Sequence, residues 1–445
     1  MHTRRALLVA FVLPLACLPS LGVDGGPVPD DAAADAGTPA KGRPDENSGT
    51  LPDATTGDAK AVAPTPLRLP PRRPVPAAGS RDAVAFRIAD YMASLVRLDD
   101  GGPRVAWDSE LYNRDNDAGY MGFSLGLAGA LWGSESHIDA LERLLDWYAG
   151  TVDADGCWHW GYARKAGGGY EPTVGAEYTS LVPPITGIRC IDAPQSFPVA
   201  GLALYASLRP EDTAMVDRLL PICKRAIDAF IARNYEAKTT FFYSSSQFVS
   251  GSWKLFDVAY SAGQADVNVG LRSLFALDGD ARYQQLAQQL EANVDQRFWL
   301  PGLGLYAVGG SGPDLVLESN KRYPFAQGWL GWVFPTARLP HLNDALTSYA
   351  AWADNSASVN VPGEGEETNY ISWLAMGLKA SASNEVLRQR LLEQLASRQL
   401  QRQAGAEAAE GGMPFSASNP AAYGSVAAWA FIALADLPTA TSLWR

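Results

Sequence analysis

The residues with chemistry to offer fall in short acidic and aromatic runs. Asn113-Arg114-Asp115-Asn116-Asp117-Ala118-Gly119-Tyr120 is the first. The segment 151–194 carries Trp158, His159, Trp160, Tyr162, Tyr170, Glu177 and Tyr178, and Trp253-Lys254-Leu255-Phe256-Asp257-Val258-Ala259-Tyr260 follows, with Gln264 and Asp266 just beyond. Then come Glu318-Ser319-Asn320-Lys321-Arg322-Tyr323, Glu364-Gly365-Glu366-Glu367-Thr368-Asn369-Tyr370, and finally Met413-Pro414-Phe415 with Tyr423. Two carboxyl groups, one held protonated and one ionised, are what cleavage of a glycosidic bond requires, and crowding carboxylates in one cleft separates their titrations. Flat aromatic faces beside them would stack on sugar rings. Each residue also has a plainer reading: Asp115, Asp117, Asp257 and Glu366 suit helix caps, and single aromatic residues are ordinary packing material. Asp266, deep in an apolar stretch, needs a buried partner such as Arg272 or Asn268, or else lines a central cavity; a structural role is the expectation.

What could bring these runs together is the pattern of helices around them. Segments at about 83–98, 137–150, 212–234, 280–299, 341–354 and 383–400 are amphipathic; Ile138, Leu141, Leu144 and Leu145 show the spacing. Those at about 117–133, 195–208, 257–278, 323–337, 367–381 and 421–436 are nearly uncharged after their first turns and rich in Gly, Ala, Leu and Trp. The two kinds alternate strictly. A helix apolar all round must be buried, and one with a polar face belongs outside. Six outer and six inner helices predict an all-α fold, an α/α toroid of twelve helices over 81–445; an irregular helical solenoid is the alternative. Only hydropathy repeats, with no strong residue-level repeat. In such a toroid the inner helices run the same way. Their N-termini, with unpaired N–H groups and positive dipole ends, share one mouth, and the acidic and aromatic runs all precede or open inner helices.

At this point the chain resembles the six-hairpin glycosidase superfamily. The resemblance rests on the helix alternation over about 82–440 and on phrases such as Gln264-Ala265-Asp266-Val267-Asn268-Val269-Gly270-Leu271 with Leu277-Asp278-Gly279-Asp280-Ala281-Arg282-Tyr283, Tyr323-Pro324-Phe325-Ala326-Gln327, and Glu410-Gly411-Gly412-Met413. It implies an enzyme acting on a poly- or oligosaccharide through a carboxylate pair, with Glu367 or Asp257 as acid and Asp115 or Asp117 as base. Tyr120, Trp158, Trp160, Glu177, Trp253, Tyr260, Arg322, Tyr323, Glu366 and Tyr370 would contact substrate, with Lys254 also available. A non-catalytic sugar-binding surface protein would use the same cleft. A polysaccharide lyase would need His, Tyr and Arg or Lys around a uronate, and only His159 is placed to serve.

Composition narrows the rest. The 445 residues carry 36 Lys and Arg against 48 Asp and Glu, a net charge of −12, which disfavours nucleic acid as a partner. No set of Cys and His converges as metal ligands, so neither a metal nor another cofactor is expected. Arg4, Arg5 and the short apolar run Ala6–Leu15 read as a signal peptide over 1–22. Cleavage after Gly22 and lipidation of Cys17 in Leu13-Pro14-Leu15-Ala16-Cys17 are both open, and both place the protein outside the cytoplasm, the second anchored at a membrane. Residues 23–80, rich in Pro, Ala and Asp, cannot bury a core and read as a disordered linker. Of the remaining cysteines, Cys157 and Cys190 are the preferred disulfide because they would staple the longest loop, with Cys223 left over; three buried thiols are the alternative.

Overall fold

The structure is a computed structural model that describes residues 66–107, 109–113, 117–312, 314–318, 325–334, 346–347, 367–382, 384–399, 410–414 and 422–444. Within them the inner helices are Asp117–Trp132, Asp192–Leu208, Ser261–Asp278, Phe325–Val333, Glu367–Ala380 and Gly424–Leu434. Each packs on the next in chain order, and the last returns to the first, closing a ring. Every residue from Asp117 to Trp132 is buried, as a helix without a polar face requires. The outer helices Arg81–Leu95, Glu135–Thr151, Thr213–Asn234, Ala281–Arg297 and Glu385–Ser397 bury one stripe each. The expected outer segment at 341–354 lies outside the described residues apart from Leu346 and Thr347.

Small residues let the inner helices approach. At Gly328 a Cβ would overlap the Trp373 carbonyl, and at Gly270 it would stand 2.9 Å from Ser196 Cα, so both crossings depend on glycine. Four of the five described outer helices start at side-chain caps: Ser80 accepts from the Ala83 N–H, Asp212 from Met215, Asp280 from Arg282 and Asn384 from Leu387.

One side chain from each inner helix forms a layer across the axis. Tyr120, Phe197, Asp266, Trp329, Trp373 and Trp429 come from successive helices. The Tyr120 ring lies 4.6 Å from Phe197 and 4.3 Å from Trp429, with Trp329 a further 4.8 Å from Trp429. The layer is buried and makes a packed floor beneath the N-terminal ends. Asp266 takes the structural role expected of it, with partners other than those proposed. It accepts from Tyr120 Oη at 2.9 Å and Trp329 Nε1 at 2.8 Å, while Arg272 pairs with Asn268 and Glu291.

The body is helical, and short antiparallel strands are added on the mouth side. Ile185–Arg189, Ser245–Val249 and Ser252–Phe256 form one sheet, and Val258–Tyr260, Gly309–Ser311 and Val316–Glu318 another. This shifts the start of the third inner helix from the expected 257 to Ser261. Asp257 therefore caps no helix; it leads into a strand that pairs with Gly309–Ser311.

A repeat invisible as a motif is present as hydrogen bonding. Gln195, Gln264 and Gln327, each in the first turn of an inner helix, accept from the backbone N–H of Trp158, Phe242 and Tyr306 at 2.8, 2.9 and 2.9 Å. Their amides donate back to carbonyls, Gln264 to Phe242 and Gln327 to Tyr306. Each glutamine thus fixes the chain that arrives from the preceding outer helix and satisfies its buried backbone groups.

The folded body begins earlier than residue 81. Leu67 is buried, its N–H donates to Ser207 Oγ, and the Arg68 and Arg73 amides donate to the Leu443 and Leu131 carbonyls. The last part of the segment read as linker therefore lies against the toroid, because Leu67, Leu69 and Pro70 supply apolar side chains to bury.

Candidate functional site

The convergence of helix starts is visible in their hydrogen bonds. Asp117, the first residue of the first inner helix, accepts at Oδ1 from the Ser425 N–H in the first turn of the last, at 2.9 Å. One carboxylate thus satisfies a free N–H of the helix that closes the ring. Asp192 opens the second inner helix, buried, with Oδ1 accepting from the Ala193 N–H and its carboxylate packed against Gly263 in the first turn of the third. Thr368, second residue of the fifth, donates to the Pro414 carbonyl just ahead of the sixth at 2.5 Å.

A polar chain leads from this ring to the rim. Tyr148 donates to Asn113 Oδ1 at 3.1 Å, and Asn113 Nδ2 donates to the His159 carbonyl at 3.2 Å. Burial, with the Tyr162 phenol and the Asp117 carboxylate nearby, pushes the Tyr148 phenol well above its ordinary range, so it stays a donor.

The rim is built from the segment between the second outer and second inner helices. Cys157 and Cys190 are disulfide-bonded, their Cα atoms 4.8 Å apart. Cys223 is buried, and its thiol is pushed up to about 12 by that burial. Beside the disulfide, His159 and Arg189 face each other across a β-bridge. Arg189 holds Asp153 and Asp155, both at 2.9 Å, and its guanidinium stands 4.0 Å from the centre of the Trp253 ring. His159 Nε2 lies 3.4 Å from Asp153. Burial alone would raise the Asp153 carboxyl; the His159 hydrogen bond, the Cys157 N–H and the Arg189 charge outweigh it and bring it down to about 2. Two depressions open here and share His159 and Pro172. One, of about 440 Å³, reaches to Asp100, Asp146 and Tyr170; the other, of about 210 Å³, to Thr186, Phe248 and Trp253.

The residues nominated from sequence divide accordingly. Asp117 sits at the mouth, 8% exposed, and Asp257 is exposed beside the third inner helix. Glu367 is the first residue of the fifth inner helix; its side chain is outside the described set, as are Asp115, Arg322, Tyr323, Glu366 and Cys17. Trp253 lines an open depression. Tyr260 is half-buried against Gly309, and Glu177 half-buried beside Gly175.

Four assignments are corrected. Tyr120 belongs to the floor, because its place in the helix points it along the axis. Trp158 is buried, donating through Nε1 to the Tyr148 carbonyl. Trp160 packs on Tyr178 in a small core under the rim, which a segment this long needs for its own order. Tyr370 is buried with its ring 5.6 Å from Trp373.

Sequence reasoning missed Asp192, Asp153 and Arg189. Asp192 had a signal: a carboxylate opening an uncharged helix. The Asp153–Arg189 pairing spans 36 residues and left none. Among the described residues no group of three or more His, Cys, Asp or Glu side chains is disposed to hold a metal ion.

No protein-family model matches the sequence, and no curated protein matches it. Solved structures do. The unsaturated glucuronyl hydrolase of Bacillus sp. GL1, responsible for glycosaminoglycan degradation, aligns at 15% identity and TM-score 0.53, over 82% of this chain and 98% of that one. A D-mannose isomerase aligns at 13% and 0.51, over 81% and 98%. A GH76 α-mannanase of Bacteroides thetaiotaomicron aligns at 12% and 0.50, over 80% and 96%. The chain has the six-hairpin toroid fold. A hydrolase and an isomerase share that fold, so the likeness shows the fold alone and leaves the reaction to the residues present.

Proposed function

We propose that this six-hairpin toroid is a glycoside hydrolase-like enzyme that acts outside the cytoplasm on a poly- or oligosaccharide. The observation that carries the reading is Asp117 at the seam of the first and last inner helices, above a buried aromatic floor and near an aromatic, hydroxyl-lined groove. Its Oδ1 accepts from the Ser425 N–H, a bond that favours the ionised form a general base or nucleophile needs. Asp257, exposed, and Glu367, at the start of the fifth inner helix, are the candidates for the acid. The six-hairpin hydrolase and mannanase folds agree with this reading by analogy only.

A second reading, non-catalytic glycan binding, is favoured by the same bond, since a carboxylate serving as a helix cap needs no further task. Lyase chemistry is less well supported: His159 is held by Asp153, and the Arg189 charge is offset by two carboxylates, leaving it poorly placed to neutralise a uronate. The deciding experiment is a glycan panel, assayed for cleavage and binding, with wild type, Asp117→Asn, Asp257→Asn and Glu367→Gln. Cleavage by wild type that drops at least about a hundred-fold in Asp117→Asn and in one of the other two supports hydrolysis. Binding without cleavage of any glycan establishes the second reading.

A further inference from the structure

The groove at His159 is a built surface. Trp253 stands on the exposed strand Ser252–Phe256, yet its ring is fixed by the Arg189 guanidinium and by Phe248, whose ring lies 5.3 Å away at 63°. Arg189 is itself held by two carboxylates, and the strand that carries it is tied to the His159 segment by the Cys157–Cys190 disulfide. The ring packs on its cross-strand partner Phe248 and over Gly187 yet stays partly exposed in the depression, and an aromatic plane held rigid in this way suits stacking on a ligand.

The lining says which ligand. Asp100, Asp146 and Asp153 present carboxylate acceptors, Thr173 and Thr186 add hydroxyls, and the guanidinium nearby is already neutralised. Asp100 is already paired with Arg97 and Arg164, Asp146 with Arg218 and Asp153 with Arg189, and neither Lys nor Arg is among the described residues lining the two depressions, so an anionic chain would find no free cation there, whereas a chain of hydroxyls would find hydrogen-bonding groups and a flat apolar face. The two depressions together fall within the roughly 300–1,000 Å³ of ordinary ligand sites, and beneath them buried Asn113 bonds the His159 carbonyl and Tyr148, whose phenol feels the Asp117 charge at the mouth.

We propose that this groove binds an uncharged stretch of glycan, several sugar units long, whose next units lie in the mouth. The proposal rests on the carbohydrate reading above and names its substrate class: a neutral polymer, not a uronate. The test is calorimetry on the full chain with malto- and manno-oligosaccharides from disaccharide to octasaccharide, beside oligogalacturonates of matching length. Affinity is expected to rise with length in a neutral series and to stay lower for the uronates. Trp253→Ala, and Thr186→Trp at an exposed position that fills the narrower depression, should each weaken the longest oligomer about ten-fold, with Trp253→Phe retaining part of the affinity. Tightest binding of the uronates, no dependence on length, unchanged affinity in both variants, or no binding of any oligomer would each overturn it. Because binding is read without cleavage, a glycan that occupies the groove and is never hydrolysed sinks the catalytic reading alone.

Discussion

Tyr120 and Asp266 are joined across the axis of the toroid, phenol to carboxylate at 2.9 Å, with Trp329 Nε1 on the other carboxylate oxygen. A charged group at 2% exposure is tolerable because two donors from neighbouring helices meet it. Asp266→Ala leaves both donors buried without that acceptor, at a cost of about 2–5 kcal/mol. Urea unfolding should show the midpoint falling at constant slope, and Tyr120→Phe, which removes one donor only, should lose less. Equal losses in the two variants would mean the carboxylate does not hold the floor together.

Asp117 permits stability and activity to be separated. Asparagine caps helices about as well as aspartate, so Asp117→Asn should keep the bond to Ser425 and unfold within about 0.5 kcal/mol of wild type. Its hydrolytic rate should nevertheless fall about a hundred-fold or more, because an amide is no base. Asp117→Ala should lose both, with about 1 kcal/mol less stability. Full activity in Asp117→Asn would remove it from the chemistry and leave it a cap.

The ring of helices was legible in the sequence because burial on all sides demands uncharged helices, and Asp117–Trp132 has no polar face to hide. The same logic found the mouth and assigned Asp266 a structural role, but misdirected Tyr120: periodicity shows that a helix start is near the mouth, not whether a given side chain points up into it or down the axis. The strands were illegible because most span only 2–5 residues, too short for alternation to register. The glutamine clamps escaped because the clamped aromatic residues lie 37, 22 and 21 residues before their glutamines. The 151–194 segment and the run opening at Trp253 offered their aromatic residues on equal terms, and only packing separates Trp158 and Trp160, which hold the rim up, from Trp253, which lines it.

The disulfide closes a loop of 33 residues, for which loop entropy gives about 3–4 kcal/mol. Cys157→Ser with Cys190→Ser should therefore lower stability by an amount of that order. The His159 and Arg189 segments meet directly beside the bond, so the groove should loosen with it, and Trp253 fluorescence should shift toward that of exposed tryptophan at temperatures where the toroid is still folded. A double mutant with an unshifted spectrum before the unfolding transition would show that the β-bridge alone fixes the rim.

Acid should act on the rim through Asp153. Its folded carboxyl titrates at about 2 against 3.8 for the free group, so the folded state binds the proton less tightly than the unfolded chain does. The stability this contributes is fully present above about pH 4 and is lost as pH falls through the folded value. Protonation also removes the charge that holds His159 and half of what holds Arg189, so order at Trp253 should be lost in the same window. Asp153→Asn should remove the component between about pH 2 and pH 4 from the acid-unfolding curve and loosen Trp253 already at neutral pH. Urea unfolding at stepped pH, followed by tryptophan fluorescence, measures both. A variant whose stability runs parallel to wild type from pH 5 down to pH 2 would mean that the Arg189 pair is no stronger in the folded rim than in solution.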